Sequence, residues 1–91
     1  MGIIKIKIPL YMRSFTNDRE VAEVNGSTVG ECLNHLVKQF PGMKKQLFSK
    51  TGNLFENIII SVNGESAYPE QLAKPVKDGD ELNIIFIIGG G

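Results

Sequence analysis

An α+β fold, a mixed sheet of four to five strands with one main helix on a single face, is what this 91-residue sequence predicts. Three observations predict it. Isoleucines alternate with lysines near the start of the chain and return in its last apolar segment, so a strand stands at each end. Between them lies one capped, amphipathic helix. Asn63-Gly64 and the run Asp78, Gly79, Asp80 place tight turns among the later strands.

Each element can be justified in order. Ile4, Ile6 and Ile8 face one way and Lys5 and Lys7 the other, which is the pattern of a half-buried strand, and Pro9 limits further ladder pairing. Residues 10–19 contain a turn at Asn17-Asp18, and residues 20–24 read as a short second strand before Asn25-Gly26. The helix opens with a capping box, in which Thr28 caps the Glu31 amide and Glu31 reaches back toward Thr28. Val29, Cys32, Leu33, Leu36, Val37 and Phe40 form its apolar stripe, and Pro41-Gly42 stops it. Residues 43–49 suggest another helical turn, with Leu47 and Phe48 on the core.

After a loop at residues 50–53, the β-branched run over 54–62 predicts a strand with Ile58, Ile60 and Val62 on one face and Ile59 with Ser61 on the other. A short helical turn at residues 68–72, a tight turn at 77–80 and a final strand complete the chain. One helix stripe covers about one sheet face. The isoleucine content of the first and last strands suits central positions. The order is that of a β-grasp, the ubiquitin-like roll, expected over residues 1–88.

Composition narrows the function. Ten basic residues balance ten acidic ones, which argues against a general attraction to nucleic acid or to anionic membrane. A single cysteine forms no internal disulfide and builds no cysteine-ligated metal site alone. The N-terminal segment alternates where a secretory signal would be continuously apolar, and no stretch approaches the ~18 residues of a membrane span, so a cytoplasmic location is expected. No nucleophile, base and orienting residue stand at suggestive spacing, and no phosphate-cradling loop is present; the chain does not read as an autonomous enzyme.

Gly89, Gly90 and Gly91 follow the last strand directly. Glycine has no side chain to pack and loses the most backbone entropy when fixed, so the expectation is a flexible tail over residues 89–91. Such a thread fits a narrow channel and delivers the Gly91 carboxylate to chemistry performed elsewhere.

With these residues in view, the chain resembles the MoaD/ThiS sulfur carriers, small ubiquitin-like proteins that end in two glycines. The landmarks are the alternating first strand with Arg13 shortly after it, Gly26 to Val29 opening the helix, Val62 to Glu65, Asp78 to Leu82, and Gly90-Gly91. The stretch 43–55 makes it similar to the longer carriers of molybdopterin or cysteine biosynthesis, and it departs from many relatives in having glycine at position 89. The resemblance implies that Gly91 is adenylated by an ATP-dependent enzyme of the ubiquitin-activating type and becomes a thiocarboxylate. That sulfur would go to a synthase, either the large subunit of molybdopterin synthase, the foremost expectation, or a cysteine-synthase-like enzyme. ATP would be used by the partner, with no cofactor bound to the carrier.

The same resemblance sets the face of the last strand. Leu82, Ile84, Phe86 and Ile88 turn toward the helix, while Ile85 and Ile87, joined by Ile59, point outward beside the tail as a partner surface. The competing reading has this face covered by the loop over 43–55. Arg13 falls near the same edge, where it would pair with an acidic group of an activating enzyme. Cys32, on the apolar stripe, is expected to be inert packing. His35 is expected to be a solvated helix residue, Asp78 and Asp80 to serve turn geometry, and Lys38, Lys44, Lys45 and Lys50 to be solvated. Two further roles compete with sulfur transfer: a protein modifier conjugated through Gly91, and a non-covalent interaction module.

Overall fold

Hydrophobic alternation and helix capping are both realised in the computed structural model, which describes residues 2–87. The chain runs through β1 (Ile3–Lys7), a 3₁₀ helix (Leu10–Phe15), β2 (Val21–Asn25), α1 (Val29–Gln39), α2 (Met43–Leu47), β3 (Ile58–Val62) and β4 (Glu65–Ser66). A second 3₁₀ helix (Gln71–Ala73) and β5 (Glu81–Phe86) follow. The five strands form one sheet in the order β2-β1-β5-β3-β4. Strands β1 and β5 are parallel, with Ile6 opposite Leu82, and the other pairings are antiparallel. The two isoleucine-rich strands therefore lie side by side within the sheet, flanked on both edges.

The core sits between the inner sheet face and α1. Ile4, Ile6, Val24, Ile60, Leu82 and Ile84 meet Val29, Cys32, Leu33 and Leu36, all of them buried, with Val37 and Phe40 packed at the margin. Each large side chain taken fully out of water contributes roughly 1.5–3 kcal/mol. Strand parity and helix periodicity thus point their apolar sets at the same layer.

Four expectations change. The strand expected over 54–62 begins only at Ile58; Leu54 makes a single bridge to Phe48, and the Phe55 carbonyl accepts the Ile58 N–H at 3.0 Å in a turn that brings the chain from α2 to the sheet. Residues 10–15 form a helical turn that buries Met12, ahead of the expected turn at Asn17 and Asp18, both with positive φ. At the helix start, Thr28 Oγ1 accepts the Glu31 N–H at 3.1 Å as predicted. The Glu31 carboxylate, however, accepts from the N–H and hydroxyl of Ser27, both at 2.8 Å, because Ser27 offers it two donors. Finally, His35 is not simply solvated. Its Nδ1 accepts the Asn25 N–H at 2.8 Å, and Gln39 Nε2 donates to the Glu23 carbonyl at 2.8 Å, so α1 side chains close the outer edge of β2 against strand pairing.

Candidate functional site

The tail-bearing end of the sheet is built by β5 and β3. Ile85 stands opposite Ile59 in the antiparallel ladder, and the Ile87 N–H donates to the Asn57 carbonyl at 2.8 Å. Parity does the rest. Leu82 and Ile84 turn inward and are buried, and Phe86 packs partly against the core. Ile85 and Ile87 turn outward and stay 43% and 46% exposed, with Ile59 half-buried beside them. The segment 43–55 leaves them uncovered, since α2 packs against α1 and the first 3₁₀ helix. Ile88, expected on the inner face, and the expected tail residues Gly89, Gly90 and Gly91 lie outside the described residues.

Arg13 is half-buried, where its Nε donates to the Ile8 carbonyl at 3.1 Å and its guanidinium stands 3.9 Å from the Glu20 carboxylate. It ties the end of β1 to the approach of β2. Sequence reasoning missed the aromatic neighbours of this end. Tyr11 packs against Phe86 with ring centroids 4.9 Å apart, and the two help line a cavity of about 330 Å³ with Phe55, Asn57, Lys45 and Gln46. Although Tyr11 is 48% exposed, partial desolvation raises its hydroxyl above the usual range. The signal was Pro9 at the N-cap of the first 3₁₀ helix, which turns Leu10 and Tyr11 outward while Met12 goes in.

The chemistry-bearing side chains elsewhere are structural. Cys32 is fully buried, and desolvation, helped by the charges of Glu31 and Asp80, raises its thiol to about 11. A thiol held protonated is a poor nucleophile. Asp80 accepts from Asn63 Nδ2 and from the Lys77 N–H, both at 2.9 Å, and these donors hold its carboxyl below the usual range. Asp78 Oδ1 accepts the Ile3 N–H at 2.8 Å. Among the described residues no group of three or more histidine, cysteine, aspartate or glutamate side chains could hold a metal ion. No helix among them is long and apolar enough to cross a membrane.

A five-stranded β-grasp with an exposed apolar patch at the end of its last strand fits a class: the small ubiquitin-like carriers and modifiers. Within that class, the chain belongs to the ThiS family, whose description matches residues 6–91. It is 32% identical to small archaeal modifier protein 1 of Haloferax volcanii over 83 residues, 79% of this chain and 92% of that protein. The structure is similar to a chain in the crystal structure of the Amycolatopsis orientalis BexX/CysO complex, with a TM-score of 0.87 and 30% identity over 97% of this chain and 99% of that one. CysO of Mycobacterium tuberculosis is similar at a TM-score of 0.86 and 25% identity, covering 93% of this chain and 99% of that one.

Proposed function

We propose that this chain is a sulfur carrier that works through its last residue, Gly91. An activating enzyme of the ubiquitin-activating type binds ATP, and the Gly91 carboxylate attacks the α-phosphorus, releasing pyrophosphate and leaving an acyl adenylate. A sulfur donor attacks the carbonyl carbon, AMP departs, and the product is a thiocarboxylate. That anionic sulfur attacks an acceptor held by a synthase of cofactor or amino-acid biosynthesis and displaces a leaving group there; water then cleaves the acyl–sulfur bond, which leaves the sulfur on the product and restores the Gly91 carboxylate. The molybdopterin synthase large subunit is the first partner to test and a cysteine-synthase-like enzyme the second. The carrier contributes a reaching tail and a docking face; the ATP site belongs to the partner. The cytoplasm, where ATP and reduced sulfur donors coexist, is the compartment this chemistry suits.

One observation supports the reading beyond family membership: Ile85 and Ile87, the outward-facing residues nearest the tail, are exposed on a strand whose alternate residues are buried. Leaving two large apolar side chains partly in water, a few residues ahead of Gly91 in the sequence, makes sense when a partner covers them. Arg13, whose guanidinium stands by Glu20, would add a polar contact to the same partner.

A second reading has support of its own, because a relative at 32% identity is named a modifier protein. The adenylation step is shared, and a protein lysine amine replaces the sulfur donor. Incubation with ATP, a sulfur donor and the cognate activating enzyme, followed by intact-mass analysis, tests both. A mass gain equal to the exchange of one oxygen for sulfur supports the carrier, conjugates of higher mass support the modifier, and a variant lacking Gly90 and Gly91 must give neither. Unchanged mass in the presence of an active enzyme would overturn both.

A further inference from the structure

The last described residue stands at the mouth of an open cavity. Ile87 donates its N–H to the Asn57 carbonyl at 2.8 Å, and Asn57 lines the hollow of about 330 Å³ whose walls are Tyr11, Phe55 and Phe86. Tyr11 is 48% and Phe55 38% exposed, so aromatic surface faces water there. Lys45 is the charged residue of the lining, and it is exposed. The ion pairs among the described residues are Lys7 with Glu81 and Arg13 with Glu20, so none of them engages Lys45. Glu56, next to Asn57 in the chain, lines a different cavity.

Four residues follow Ile87: Ile88 and three glycines, ending in the Gly91 carboxylate. They lie outside the described residues, yet their starting point and length are known. Phe86 pairs with Ile58, and the bond from Ile87 to Asn57 carries the ladder one step further. A strand continued by one residue sets position 88 on the same face as Phe86, which lines the hollow. Four residues span at most about 14 Å, a length that reaches across a cavity of this volume. An isoleucine thus arrives at an aromatic hollow, and an anion follows it within reach of a cation.

We propose that the cavity is the resting site of the chain's own C-terminal segment. Ile88 fills the hollow between Tyr11, Phe55 and Phe86, and the Gly91 carboxylate meets the Lys45 ammonium. The glycines between them are costly to fix, so Ile88 is the anchor and the exposed ion pair is made and broken readily. A partner seated on Ile85 and Ile87 draws the tail out, because the carboxylate cannot lie on Lys45 and in the partner's active site at once. This contact goes beyond the carrier role and serves a modifier equally: the acid group has a place to stay between encounters.

The test is NMR of the free full chain at two concentrations. Expected are NOEs from the Ile88 methyls to the ring protons of Tyr11, Phe55 and Phe86. Ile88→Ser should shift the Asn57 and Phe86 amides and drive the heteronuclear NOE of Gly90 and Gly91 negative. Lys45→Glu, at an exposed position, should lower the ratio of docked to released tail about threefold, read from tail amides that move along the line between the parent and Ile88→Ser. Absence of every NOE from Ile88 to the rings, a Gly90 and Gly91 heteronuclear NOE that Ile88→Ser leaves unchanged, or tail amides that Lys45→Glu leaves in place would overturn the proposal. NOEs that fade on dilution would put another copy's tail in the hollow and overturn it too. No enzyme is present in these measurements, so they can fail while Gly91 is still adenylated, which separates failure here from failure of the carrier reading.

Discussion

Asn63 and Asp80, 17 residues apart in sequence, lock the β3–β4 turn to the entrance of β5: Asn63 Nδ2 donates to Asp80 Oδ1 at 2.9 Å. The same asparagine accepts the Glu81 N–H on its Oδ1 at 2.9 Å, and its own N–H donates to the Glu81 carbonyl at 2.8 Å. Asn63 sits at a positive φ of 52°, a conformation that asparagine tolerates better than most residues. One side chain thus shapes a turn and fixes the starting register of the strand that leads to the tail.

Replacing Asp80 with alanine should cost about 1.5–3 kcal/mol, the usual worth of hydrogen bonds to a charged group. The effect should depend on pH. The folded-state carboxyl is held low, chiefly by the Asn63 side chain and then by the Lys77 N–H, so its contribution is full above the ordinary aspartate range and fades as pH falls through the lower folded value. Urea unfolding from pH 7 down to pH 3 should therefore bring the parent and Asp80→Ala closer together. A constant gap across that range would refute the assignment.

Replacing Ile85 with serine should leave the fold intact, with a loss under about 1 kcal/mol, since the residue is already 43% exposed and only strand propensity changes. Adenylate formation by the cognate activating enzyme should fall by about tenfold or more, equivalent to ~1.4 kcal/mol of lost contact. Ile84→Ser, one residue away and buried, should instead unfold much of the protein. Thermal melts beside activity assays distinguish the two faces of one strand.

Cys32→Ala should retain sulfur transfer while losing about 1–2 kcal/mol of stability to the cavity it leaves. The native thiol should react slowly with a disulfide reagent near neutral pH and quickly once unfolded. Because its value rises from 9.0 to about 11 on folding, the packing it provides is fully present below pH 9 and is lost as pH climbs toward 11. A fast-reacting native thiol would show that the helix stripe is not closed.

Thr28→Ala should cost ~1 kcal/mol by removing the acceptor for the Glu31 N–H. Ser27→Ala should raise the Glu31 carboxyl only part of the way toward its ordinary range, because it removes the hydroxyl donor and keeps the position-27 N–H, the larger of the two that hold it down. Chemical-shift titration of the glutamate carboxyls reads this directly. No change would return Glu31 to the partner expected from the capping box alone.

Much of this was legible in the chain because it is set by local periodicity. The alternation of Ile4, Ile6 and Ile8, the stripe from Val29 to Phe40, and the opposed faces of Leu82 with Ile84 and Ile85 with Ile87 follow from strand and helix repeats, which any residue pair two or four apart reports. The isoleucine content of the two end strands also implied that they would be interior. Those cues stop where one element hands over to the next. Residues 54–57 carry strand-forming side chains, yet they serve as a turn because the chain has to cross from α2 to the sheet.

What the sequence determined by itself was which residues of the first strand and the helix go inside, where the helix starts, and that glycines follow the final strand, since each rests on side-chain chemistry and spacing within a few residues. Tertiary structure alone decided the contacts between distant segments: Tyr11 against Phe86, Asn63 on Asp80, and His35 closing the edge of β2. Those depend on where the backbone of one element stops relative to another, and that stopping point is fixed by the whole packed core instead of by any neighbour in the chain.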